Sequence, residues 1–189
     1  MKFIYLAVLF AIVLSAAALY QPKSEVASGP QYTPDGQLKF PERYRDWVFL
    51  TSGFDMSYRA AAQTGDSHQF DNVFVNPEAY RSFQQNGAWP DKTVLVLEGR
   101  RAEGKGSINQ NGHFQGGVNA VEVHVKDESR FASKWAFFGF AENNTAPMIP
   151  LKAECYSCHA AHGAVDTTFV QFYPTLAGIA KTKGTFESR

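Results

Sequence analysis

Residues 154–163 read ECYSCHAAHG and hold both cysteines and two of the five histidines of this 189-residue chain. Cys155, Cys158 and His159 form C-x-x-C-H, the attachment spacing of c-type haem. Two thiols one helical turn apart can reach both vinyl groups of one porphyrin, and the adjoining imidazole then comes under the iron. Three other chemistries use similar residues. A disulfide between Cys155 and Cys158 would close so small a loop that it removes little unfolded-state entropy, and it leaves His159 unexplained. A redox dithiol belongs after a strand in a βαβ unit, whereas this motif lies near the C-terminus behind an antiparallel pattern. A zinc site drawn from Cys155, Cys158, His159 and His162 would crowd all its ligands into one short segment, where structural sites separate them into two pairs. The motif therefore predicts one covalent haem c, bonded through Cys155 and Cys158, with His159 on the iron.

The sixth iron position decides the chemistry, because a Met or His there makes an electron-transfer cytochrome. Met148, Met56, His113, His162 and His68 are the candidates. His162 follows His159 by about one turn and so points away from the far haem face, and Met148 sits in a loop flanked by proline. Spacing alone selects none of them.

The elements that must position this motif begin after an apolar leader. Residues 3–20, FIYLAVLFAIVLSAAALY, follow Lys2 and end in small residues, the pattern of a secretory signal cut near Ala16, Ala17 and Ala18. An uncleaved membrane anchor is the alternative, since a span needs about 20 apolar residues. Residues 1–20 are thus the expected signal or anchor, the polar, turn-rich stretch 21–37 a linker, and 38–189 one haem domain, exported to the periplasm. A 44% hydrophobic composition with 16 Phe, 8 Tyr and 3 Trp can close a core. Its zero formal net charge argues against nucleic acid as a partner.

Within the domain, a short helix is expected over 40–47 behind Pro41, and strands over 47–53 and 70–76. Proline first and glycine last mark a helix over 77–87. In the strand at 91–99, Thr93, Leu95 and Leu97 share one face and Lys92, Val94, Val96 and Glu98 the other. Residues 119–127 alternate, with Val121, Val123 and Val125 expected inward and Glu122, His124 and Lys126 outward. An aromatic strand follows at 134–142, and the glycine-rich piece 101–117 reads as a loop or hairpin. The sum is an α+β fold, an antiparallel sheet with helices over one face.

The order YRDWVFL, FDNVFVNPEAYRSF, DKTVLVLEGR, SKWAFFGF and AECYSCHAAHGAVDTTFVQFYPTL resembles the cytochrome P-460 and cytochrome c'-beta family. The resemblance implies a homodimer with one haem c per chain, His159 as proximal ligand, and a distal iron face free of protein ligands. Members of the P-460 kind oxidise hydroxylamine and tie a lysine to the haem edge. The c'-beta kind lacks that bond and binds nitric oxide or carbon monoxide. Leu97 stands where the lysine is expected, and leucine cannot form the link. Lys92, Lys105, Lys126 and Lys134 read as solvated surface lysines.

The resemblance further implies a distal lining of Leu97, Phe54 and Phe74, apolar enough to favour neutral diatomics over anions and water. Residues 169–174, FVQFYP, would close the proximal side, and Asp166 is expected to cap a helix beginning near Thr167 or to accept a hydrogen bond. Three functions follow as expectations: an exported gas-binding haem protein, a hydroxylamine or nitric oxide oxidoreductase, and an electron-transfer cytochrome with an unknown redox partner.

Overall fold

The computed structural model describes residues 28–57, 68–106, 110–141 and 144–188. The expected leader and the first part of the expected linker lie outside them. Five strands form one antiparallel sheet in the order β2 (Val48–Phe54), β3 (Gln69–Val75), β4 (Val94–Glu103), β5 (Phe114–Lys126) and β6 (Trp135–Phe140). A second, small sheet pairs β1 (Leu38–Lys39) with β7 (Thr145–Ala146). Helix α1 (Pro77–Asn86) links β3 to β4, while α2 (Glu154–His162) and α3 (Ala177–Lys183) follow the strands. The α+β architecture expected from the sequence is the observed one. Among the described residues, no helix is long and apolar enough to cross a membrane.

Local chemistry explains the elements. Pro77 opens α1, and Gly87 closes it at φ 72°, a left-handed conformation suited to a residue without Cβ. Ala79 and Phe83, four residues apart on one helical face, bury against the sheet. That front core also holds Val75, Trp89, Leu95, Trp135 and Leu176. The back core holds Val94, Val96, Val121, Val123, Val125 and Phe138, closed by Tyr44 and Leu38. Tyr32 belongs to this cover: it bridges to Leu38, bonds Asp127 and lies under the Arg130 guanidinium.

Several expectations need correction. Residues 40–47 form only a 3-10 turn, Tyr44–Asp46, because the segment must bend to bring Tyr44 onto the back core. The glycine-rich piece, expected as a loop or hairpin, is a hairpin: β4 runs to Glu103, paired with Phe114 at the start of β5. β5 is two-sided rather than one-sided. His124 and Lys126 are 6% and 8% exposed, and they share the front face with Glu122. Lys126 therefore escapes the surface role expected for it: its ammonium donates to the Trp89 carbonyl and pairs with Asp166.

Candidate haem site

The front face is hollowed into a cavity of about 440 Å3 with His159 in its wall, within the range of roughly 300–1,000 Å3 usual for cofactor clefts. Strand alternation selects the floor. Val73, Leu97 and Glu122 stand side by side across β3, β4 and β5, and Leu95 and His124 form the next row. Phe169, Phe172 and Tyr173 line the cavity from the segment after the motif.

Helix α2 carries the motif. Cys155 and Cys158 are half-buried, unpaired thiols on neighbouring turns, and His159 stands four residues after Cys155 on the same side. Tyr156, between the cysteines, fastens the helix to the sheet. Its hydroxyl donates to the Ile149 carbonyl at 3.0 Å and accepts the Phe137 N–H at 3.2 Å. Nδ1 of His159 donates to the Thr167 carbonyl at 2.7 Å, which leaves Nε2 with its lone pair for a metal. Burial holds the imidazole below its ordinary pKa, partly offset by that bond, so the neutral, ligating form is favoured. Among the described residues no group of three or more His, Cys, Asp or Glu side chains is placed to hold a metal ion.

Leu97 lies in the cavity wall, and no described lysine does. Phe54 touches the cavity from the end of β2, where its ring stacks on His68 at 5.6 Å. Phe74 is on the other face, edge-on to Tyr44 and Phe49, so it is excluded from the lining by strand parity. Of the five candidate axial ligands only Met56 lines the cavity. Gly53 leaves room for it, since a Cβ there would lie 2.6 Å from the Met56 sulfur. His68 pairs with Asp55 at 2.5 Å, and His113 packs on His68 and Phe54 at the rim. Met148 is exposed and makes an isolated backbone bridge to Phe138, and His162 ends α2 outside the cavity wall. Asp166 accepts from Lys126; no helix starts at Thr167, so there is none for it to cap.

Three lining residues escaped the sequence reading. Asp71 and Glu122 bring carboxyls into the wall, both pushed up mainly by burial; Glu122 is raised further by Asp71. His124 stacks on Phe137 beside His159. Polar residues alternating with valine looked like a solvated face; the signal against it was the aromatic strand that follows, which needs a partner face on both sides.

An antiparallel sheet hollowed on one face, with a C-x-x-C-H helix laid against the hollow, defines a haem-binding cytochrome of the sheet-built class. The cytochrome P460 family model matches residues 41–170, and the chain belongs to that family. No curated protein matches the sequence at a significant level.

Proposed function

We propose that this is an exported, periplasmic cytochrome with one haem c, bonded through Cys155 and Cys158 and ligated by His159, that binds nitric oxide or a similar small gas on the other iron face. The observation that carries the reading is Leu97 in the cavity wall where the resemblance expects a cross-linking lysine. When bound, the haem supplies an iron that takes neutral diatomics. The chain's own part is to present a neutral imidazole and to surround the ligand with Leu97, Val73 and Phe54. Against these three side chains an anion loses its hydration without gaining hydrogen bonds, and nitric oxide loses almost nothing.

Two neighbouring readings have specific support. Met56 in the cavity favours an electron-transfer cytochrome with sulfur on the iron. The Asp71 and Glu122 carboxyls favour an oxidoreductase acting on hydroxylamine or nitric oxide, because carboxyls in the wall whose pKa is raised are better placed to deliver protons. The deciding measurement is the optical spectrum of the ferrous holoprotein before and after nitric oxide. We expect a high-spin, five-coordinate Soret band that shifts on adding the gas and is unchanged by Met56→Ala. A low-spin resting spectrum that turns high-spin in Met56→Ala would overturn gas binding as the primary role. Intact mass with one haem added, together with a homodimer by sedimentation, would support the rest of the proposal; no haem mass would end it.

A further inference from the structure

His124 is the side chain whose burial the haem-binding role of the motif does not by itself explain. Its ring is stacked on Phe137 with centroids 3.8 Å apart and planes 9° apart, and Trp135 packs against it at 4.4 Å. The His159 ring stands edge-on to this stack, 5.1 Å from His124 and 4.7 Å from Phe137. Phe169 lies against His159 at 4.3 Å.

Thr167 joins the two histidines. Its carbonyl accepts the Nδ1 proton of His159 at 2.7 Å, and its hydroxyl lies 3.5 Å from Nε2 of His124, at the outer limit of a hydrogen bond. Asp166, a non-glycine residue at φ 53°, and Thr167 are the two central residues of a tight turn closed by the Val165–Thr168 bridge. The backbone bonds of that turn shape it, and the Thr167 hydroxyl contact to His124 ties its tip, with the carbonyl that orients His159, to β5. A phenylalanine at position 124 would serve ring stacking equally well; a histidine adds the contact to the Thr167 hydroxyl.

We infer that His124 is the positioning residue of the His159 ligand, fixing its ring by edge contact and holding Thr167 so that its carbonyl stays on Nδ1. The inference rests on the reading of His159 as the iron ligand. A firm Nδ1 hydrogen bond makes the imidazole a stronger donor through Nε2, so His124 would set the strength of the iron–histidine bond through its contacts to His159 and Thr167.

The test is resonance Raman of the ferrous holoprotein immediately after photolysis of its carbon monoxide complex, when any sixth ligand is absent. The wild type, His124→Phe, Thr167→Val and Val125→Ala are compared, Val125 being buried in the back core away from the site. The iron–histidine stretching band is expected to move to lower frequency and broaden in His124→Phe and Thr167→Val, and to stay in place in Val125→Ala. A band in both site variants that coincides with wild type, or an equal shift in Val125→Ala, overturns the inference while leaving His159 as ligand. Should His124→Phe fail to fold, Thr167→Val alone decides, because it deletes only the hydroxyl contact. Absence of an iron–histidine band from the wild type would remove His159 as ligand and this inference with it.

Discussion

Leu97 stands between Val73 on one neighbouring strand and Glu122 on the other, so its side chain sets the polarity of the wall between a valine and a carboxyl. Replacing it by asparagine gives an incoming anion a hydrogen-bond donor that leucine lacks. A net hydrogen bond is worth about 1 kcal/mol, or about fivefold in affinity. Leu97→Asn is therefore expected to bind azide to the ferric holoprotein about fivefold more tightly, as read by optical titration, with carbon monoxide affinity of the ferrous form little changed. An unaltered azide affinity would show that Leu97 does not face the ligand. The motif residues were legible in the sequence through their spacing, and Leu97 through the family resemblance that puts it at the cross-linking position. Phe74 was not, because parity on β3 depends on where β2 and β4 pair with it, and an aromatic residue suits either face.

At the scale of elements, the hidden information lies in strands buried on both faces. β5 alternates valine with Glu122, His124 and Lys126, which reads as half-solvated, but His124 and Lys126 are buried because α2 and the segment after it lie over that face. Charge is also buried on the back of β4, where Glu98 is 2% exposed. It accepts hydrogen bonds from Tyr44 at 2.5 Å, Arg45 at 2.8 Å and Arg100 at 2.5 Å, tying the Tyr44–Asp46 turn to the sheet. Burial alone would raise the Glu98 pKa; the bonds from Arg100, Tyr44 and Arg45 outweigh it and hold the carboxyl at about 2. The folded value lies below the unfolded one, so this group's stabilisation is complete above the ordinary glutamate range. It is lost as pH falls from there toward about 2. Urea unfolding should show wild type losing stability between about pH 5 and pH 2, while Glu98→Gln, weaker at neutral pH, loses less over that window. Tyr44→Phe should cost about 2 kcal/mol at neutral pH, the net worth of one hydrogen bond to a charged group.

Over the whole molecule, the two faces of the sheet depend on different partners. The back core is closed by the chain's own Leu38, Tyr44 and Phe138. The front core is closed by α1 and α3 on one side of the cavity, while α2 contributes no fully buried residue and is only nine residues long. A helix of that length is marginal by itself in water; Tyr156 fastens it to the sheet, and the haem expected in the cavity would supply the remaining buried contact. Any ligand that binds only the folded chain raises its stability, so haem and α2 order should rise and fall together. The double variant Cys155→Ala, Cys158→Ala, exported with the haem-attachment machinery present, should therefore lack bound haem and melt at a lower temperature. Its amide exchange should be faster throughout α2 and the Val170–Phe172 turn. Protection should persist in β4 and β5, whose valines belong to the back core. Uniform loss of protection across the sheet would mean that the fold, and not only the haem-facing layer, is built around the cofactor. Retained protection in α2 would mean that Tyr156 and the His159 contact to Thr167 hold the motif in place before any haem is attached.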